Sequence, residues 1–373
     1  MKINTITCHD VYNYGASLQA YALQQHLRAL GHDVQIIDYI PDYLKGAYNF
    51  WYIPKNHRFY GICKKSRLFH LIYSVRLAPI TYRTYGRIKP FKHFKKQFLN
   101  CTEVQYRDIK SLCDNPPVAD LYIAGSDQIW NTNLPNGHDP AFYLNFGNKD
   151  TRRISYAASF AISQLSKSDE AKVKEYLSHL DAISVREKTG VQILESMGYN
   201  GENVLDPVFL LSKSDWQSLA GCKPIVDGKY ILVYHLFERN KDLAKMAVKY
   251  SRETGLKIVS INDKSSRAYA DVNVSNAGPI EFVNLINNAE YVMADSFHAT
   301  AFSLILNKPF SVFYHNSNGS RIIDCLEIAG LKDCYNPTKI VEGFDWDGVN
   351  MRLKVQIEAS KFFLQQQLDF KKC

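Results

Sequence analysis

The chain reads as an α/β protein built from two parallel-sheet domains. Its 373 residues exceed one ordinary domain. Short apolar strand-like runs alternate with helical periodicities along most of it. That alternation breaks near 206–228, where Asp206-Pro207 is followed by the polar stretch Lys213–Gly228, and then begins again.

Taken in order, residues 1–40 form a βαβ unit. Lys2–Cys8 is an apolar strand. Leu18, Ala22, Leu23, Leu27 and Leu30 recur at helical spacing, Gly31 suits the helix end, and Asp33–Tyr39 returns as a strand. Segment 43–102 interrupts the pattern as a basic, aromatic insertion of weak periodicity, either helical or an ordered excursion. Strands Asp120–Ala124 and Arg153–Ala157 follow, then a helix near 168–180, strand Ala182–Val185 and a helix near 187–197. The second unit opens with strand Tyr230–Leu236, a helix over 239–254 and strand Lys257–Ile261. Pro279 opens another helix, and Tyr291–Ala294, a helix from about His298 and Phe310–Phe313 complete it. The expected division is a domain over 1–210, a domain over 228–345, and a C-terminal helix and tail over 346–373 that packs back on the first domain.

Composition narrows the function classes. Hydrophobic residues make up 46% and charged residues 22%, a soluble balance with enough apolar material for a sizeable core. The eight cysteines include no CxxC pair, so neither a zinc nor a redox motif is supported. The chain enters a strand without an apolar signal core and holds no 18-residue apolar run, so a cytoplasmic location is expected. The net charge of +8 is concentrated between Tyr43 and Thr102, which carry 13 Lys/Arg, 14 aromatic residues and no Asp or Glu. A solvated basic face over an aromatic subcore and attachment to an anionic inner-leaflet surface both fit that segment. Nucleic-acid binding is not expected, because no binding signature accompanies the charge.

Ligands of open α/β sheets bind beyond the carboxyl ends of the strands, and four loops there carry polar residues. His9–Gln19 holds Asn13, Gly15, Ser17 and Gln19 but no GxGxxG, so it is not a dinucleotide fingerprint. Gly15 serves a turn there, and Ser17 a helix cap, in the plainer reading. Gly125–Asn131 offers Asp127 and Gln128 for hydrogen bonds and Trp130 to stack on a sugar face; an Asx-type turn with a core tryptophan is the alternative. Arg186 follows the strand at Val185, placed either for an anion at a helix N-terminus or for an internal ion pair with Glu187 or another acid. The fourth is Asp295-Ser296-Phe297-His298, where an N-cap, a helix N-terminus and a histidine converge on one anion. No carboxylate occurs from Ser296 to Ile323, which suits a small, highly charged donor better than a nucleotide-sugar.

These segments occur in an order that resembles the polysaccharide pyruvyl transferase family. The set is Asn13-Tyr14-Gly15-Ala16-Ser17-Leu18-Gln19, Gly125–Asn131, Ser184-Val185-Arg186-Glu187, Asp206-Pro207, Asp295–Thr300 and Asn307-Lys308-Pro309-Phe310. The resemblance implies two Rossmann-like domains in a GT-B-like arrangement, with the acceptor on the first domain, the donor on the second and the active site between them. It implies phosphoenolpyruvate as co-substrate, no further cofactor and no metal. The acceptor would be a sugar diol of a saccharide, undecaprenyl-diphosphate-linked in one version, in capsule or exopolysaccharide biosynthesis. Where some members carry Arg-Leu-His this chain has Ser296-Phe297-His298. One donor-binding charge is therefore expected from Arg186, Arg239 or Arg321.

Ketal formation needs a proton donor, a base and neutralisation of both donor anions. His298 is the expected acid and phosphate ligand, and Asp127 the residue that activates the acceptor hydroxyl. Ser296 joins the donor side, and Asn13, Gln19, Asp127, Gln128 and Trp130 the acceptor side. A nucleotide-sugar glycosyltransferase and a catalytically silent envelope-assembly protein are the alternatives.

Overall fold

The computed structural model of the protein describes residues 1–45, 66, 86–236, 240–262, 266–313 and 319–370. They form two five-stranded parallel sheets of identical winding. The first, ordered β3-β2-β1-β4-β5, comprises β1 (Lys2–Ile6), β2 (Asp33–Tyr39), β3 (Cys101–Tyr106), β4 (Leu121–Ala124) and β5 (Arg152–Ser155). A short parallel pair, β6 (Ser184–Val185) and β7 (Glu202–Asn203), continues beyond β5 through the bridges Ile154–Ala182 and Ala158–Val185. The second sheet, ordered β10-β9-β8-β11-β12, comprises β8 (Tyr230–Tyr234), β9 (Lys257–Ile261), β10 (Val272–Val274), β11 (Tyr291–Ala294) and β12 (Phe310–Val312). Strands β4, β8 and β11 are buried along their whole length, as parallel strands covered on both faces must be. The chain is thus two Rossmann-like domains, with topological switch points between β1 and β4 and between β8 and β11.

The helices that bear on the site are α1 (Tyr14–Ala29), α2 over 86–98, α3 (Lys213–Ala220), α4 (Pro279–Asn287), α5 (Phe297–Ile305), α6 (Ser320–Ala329) and α7 (Trp346–Asp369). Asn13 caps α1, its Oδ1 accepting from Ala16 N at 3.2 Å; Ser17 lies inside the helix instead. Tyr14 carries α1 into the second domain. It stacks on Phe282 of α4 at 4.5 Å with an 8° tilt, meets Tyr234 edge-on and donates its hydroxyl to Ala277 O at 3.2 Å. Each such ring pair contributes about 0.5–1.5 kcal/mol beyond its area burial. The domains therefore meet over an apolar, aromatic contact beside the polar cleft.

Three segments add detail to the sequence expectation. The polar stretch after Asp206-Pro207 contains α3, started by a capping box between Ser212 and Asp215 and anchored by the fully buried Trp216 against Tyr21 and Phe302. Within the basic insertion, α2 turns Phe91 and Phe94 into the interdomain core, and β3 follows as an edge strand. Lys64 and Lys65 lie outside the described residues, whereas Lys95 is committed to Asp38 at 2.6 Å and Asp10 at 3.2 Å. α7 spans both domains: Val349 and Leu353 pack with the second, Phe363, Leu364 and Leu368 with Ile3, Leu23 and Leu27 of the first. Among the described residues no helix is long and apolar enough to cross a membrane.

The ends of β1 and β2 are tied by a buried polar cluster. His9 Nε2 donates to Asp38 Oδ1 at 2.9 Å, and Lys95 and Gln105 donate to the same carboxylate. Burial alone would lower the His9 pKa, but the hydrogen bond to Asp38 and the neighbouring Cys101 raise it to about 9. A folded-state pKa above the unfolded value of about 6.5 gives stability that is complete below that value and lost as pH rises through 9. Urea midpoints measured between pH 6 and 10 should fall on the alkaline side, and the His9→Gln protein should show a flatter dependence.

Candidate active site

The switch points of the two sheets face one another across a cavity of about 320 Å³. Its wall is made of strand exits: Asn13 beyond β1, Asp127 and Gln128 beyond β4, Leu236 beyond β8, and Asp295 to His298 between β11 and α5. Arg321 of α6 completes it. A single rule of α/β sheets, applied twice, thus assembles the site.

Ser296 is the N-cap residue of α5 but makes no side-chain cap hydrogen bond. As in any α-helix, the first backbone N–H groups of α5 have no intrahelical acceptor; Ser296 does not cap them, and the positive end of the helix dipole lies at the cavity wall. Asp295, just before that turn, accepts from Leu236 N through its Oδ1 at 2.5 Å. Gln128, with its amide oxygen turned to the second domain, accepts from both terminal nitrogens of Arg321 at 3.0 and 3.2 Å. That contact bridges the cleft.

His298 is held from three sides. A Cβ built on Gly15 would lie 1.9 Å from His298 Nδ1 and 2.2 Å from Cε1, so the ring occupies the space a side chain on α1 would take. Phe297 meets it edge-on at 5.1 Å. Behind it, Nε2 is buried without a hydrogen-bond partner, 3.7 Å from Oδ2 of the fully buried Asp206. The same Oδ2 accepts from Arg186 Nη1 at 2.5 Å and from Ser126 Oγ at 3.2 Å. Burial opposes ionisation of Asp206, but His298 and Arg186 hold its pKa well below the usual carboxylate range.

Residues 13–317 match the model of a family described as polysaccharide pyruvyl transferase. The chain belongs to that family. No curated protein matches it significantly. Among solved structures it is similar to the Methanocaldococcus jannaschii UDP-GlcNAc 2-epimerase in complex with UDP-GlcNAc and UDP, at 13% identity over 96% of this chain and 93% of that one, with a TM-score of 0.49. The Neisseria meningitidis UDP-GlcNAc 2-epimerase gives 11% identity, 99% and 100% coverage and 0.47. A glycosyltransferase from Streptomyces nogalater gives 13%, 98% and 99%, and 0.43.

The transferase uses its sequence-predicted residues unevenly. Asn13, Asp127, Gln128, Ser296, His298 and Arg321 share the cavity. Arg186 lies behind its wall, paired with Asp206 and stacked 4.8 Å over Phe297, with Asp127 3.6 Å away. Its partner acid is Asp206 and not Glu187, which instead accepts from Phe160 N and Ala161 N. Arg239 lies outside the described residues. Trp130 does not face a sugar: it is fully buried, stacked on Tyr143 at 5.3 Å and donating Nε1–H to Phe142 O. Gln19 is likewise fully buried, donating to Thr7 Oγ1 and accepting from Ser126 N at 3.0 Å, and so braces the loop after β4. That loop begins at Gly125, whose φ of +124° and approach to Tyr156 O leave no room for a Cβ.

Asp206 is the site residue that sequence reasoning missed. Its only sequence signal is the Asp206-Pro207 pair. Among the described residues, His9, Asp38 and Cys101 have the donor set and spacing for a metal. The Lys95 ammonium already beside Asp38 fills that role and makes the group a poor cation site.

Gly15→Ala should keep the fold, since alanine favours a helix over glycine by about 1 kcal/mol, yet drive the His298 ring from its place. A displacement of that size costs roughly 10²-fold in turnover. Melting temperature and transferase rate measured together check this; a normal rate would show that the ring position is not needed.

Proposed function

We propose that the protein transfers the enolpyruvyl group of phosphoenolpyruvate to a sugar diol, forming a cyclic pyruvate ketal and releasing phosphate. The observation that carries this reading is the meeting of His298, the open N-terminus of α5 and Arg321 on one cavity wall. A donor with a carboxylate and a phosphate needs two patches of positive potential. The α5 turn with His298 supplies one, and Arg321 supplies the other. Among the described arginines, Arg321 is thus the one suited to replace the charge absent at Ser296.

In this reading an acid protonates the methylene carbon of the donor while the first sugar hydroxyl attacks C2. The C2–O bond to phosphate then breaks, and the second hydroxyl closes the ring. Of the two hydroxyl protons, one ends on the new methyl group and the other leaves with phosphate. His298 acts as the acid and phosphate ligand. Asp127, opposite it on the β4 exit, receives the acceptor hydroxyl proton. Asn13 and Gln128 orient the acceptor from the first domain, with Leu134 and Leu236 forming apolar lips at the mouth. A lipid-linked saccharide at the inner membrane face, in capsule or exopolysaccharide assembly, fits such an acceptor.

The test is phosphate release from phosphoenolpyruvate with saccharide acceptors, matched to pyruvate recovered from the product by mild acid. Arg321→Ala should raise KM for phosphoenolpyruvate about 10- to 10²-fold, the loss of a charge-assisted pair worth roughly 1.5–3 kcal/mol. Saturable UDP-sugar binding without any phosphoenolpyruvate-dependent phosphate release would replace this reading by glycosyl transfer. Near-normal turnover in His298→Gln would remove the histidine from the chemistry.

A further inference from the structure

We infer that Asp206 is the positioning residue for His298: it backs the ring at Nε2 and leaves Nδ1 as the nitrogen that exchanges protons with substrate. This rests on the reading of the site as a phosphoenolpyruvate-dependent transferase.

Three observations lead here. His298 lines the cavity, yet its Nε2 is sealed from solvent and finds no hydrogen-bond partner, so that nitrogen is not offered to a ligand. The group it faces is a fully buried carboxylate oxygen 3.7 Å away. Nδ1 lies at the other edge, over Gly15, in the first turn of α1 beside the cavity-lining Asn13. A buried carboxylate facing one imidazole nitrogen sets which nitrogen keeps its hydrogen and stabilises the ring when the other gains one. The separation is slightly beyond a hydrogen bond, and catalytic contacts of this kind are commonly long until ligand binds.

Asp206 could have served Arg186 alone. But Oδ2, the oxygen that takes the Arg186 hydrogen bond, is also the one presented to His298, while Oδ1 accepts from Val208 N at 3.1 Å. Ser126 Oγ fixes the carboxylate from the loop that carries Asp127. One side chain in the connection between the domains thereby ties the β4 exit, the β6 exit and α5 together. The other ionisable groups around the ring are Arg186 behind it, Asp127 and Arg321 on the cavity wall, Asp295 on its own loop and the buried Cys325 of α6 near Asp206.

The proton balance follows from this orientation. Imidazolium gives its Nδ1 proton to the methylene carbon of the donor, leaving a neutral ring with Nε2–H toward Asp206. The electron pair of the carbon–carbon double bond forms the new C–H bond, and C2 takes the acceptor oxygen. A hydroxyl proton later returns to Nδ1, directly or through Asp127.

Two measurements decide the matter. In the wild-type protein labelled with ¹⁵N-histidine, the neutral form of His298, assigned by its loss in His298→Gln, should carry its hydrogen on Nε2. A hydrogen on Nδ1 overturns the proposal, whether or not the Asp206→Asn protein folds. In Asp206→Asn, with folding checked by circular dichroism, kcat should fall by about 10²-fold or more with KM for phosphoenolpyruvate little changed. A folded Asp206→Asn protein whose kcat stays near the wild-type value, or whose loss lies in KM instead, also overturns it. Wild-type protein that turns over no phosphoenolpyruvate would sink the functional reading while leaving the tautomer result to stand on its own.

Discussion

The organisation of this transferase depends on the absence of one side chain. Gly15 lets the first turn of α1, from one domain, close against the imidazole of His298, from the other. A Cβ at that place would overlap the ring and drive it aside. Around this contact the apolar stacking of Tyr14 on Phe282 fixes the approach laterally, while Asp206 and Arg186 close it from behind. His298 is therefore positioned by the domain interface itself and not by its own domain alone.

That arrangement explains a buried ion pair which would otherwise look expensive. Removing an arginine and a carboxylate from water costs several kcal/mol per ion, and the attraction between them seldom leaves a large surplus. A pair of apolar residues would serve stability as well. Asp206 and Arg186 instead act as a rigid polar backing: the carboxylate has further contacts to Ser126, Val208 and His298, and the guanidinium lies over Phe297, next to the histidine. Gln19 does the same work one layer further out, holding Ser126 in place from the core of α1. Polar residues that never reach the cavity thus set the positions of those that do.

The strands and the strand-exit rule were legible in the sequence because both depend on local pattern. Apolar runs such as Leu121–Ala124 and Tyr291–Ala294 must be buried on both faces, and polar residues directly after them must surround a ligand site or cap a helix. What local pattern does not carry is depth. Trp130 and Gln19 sit beside cavity residues in the chain yet point into the core, and Arg186 has a partner twenty residues away that no spacing announces. Helix α2 was one of two readings of its segment, because its apolar positions are interleaved with cationic ones and charge masks the face that Phe91 and Phe94 bury. Asp206 was overlooked for a related reason, since an Asp-Pro pair at a boundary looks like punctuation until the two domains are placed together.

The exchange of an arginine for Ser296, which the sequence presents as a loss, has a structural counterpart. An arginine at the N-cap of α5 would stand beside Phe297, where Arg186 and Arg321 already lie at 4.8 and 5.9 Å. A third guanidinium there would face two others across one ring, with Asp206 already engaged by Arg186. Serine leaves the first turn of α5 without a side-chain cap instead, and Arg321 of α6 lines the cavity on the same side of the cleft. Because Arg321 is also the group that Gln128 of the first domain accepts from, its guanidinium belongs to the contact between the domains as well as to the cavity wall.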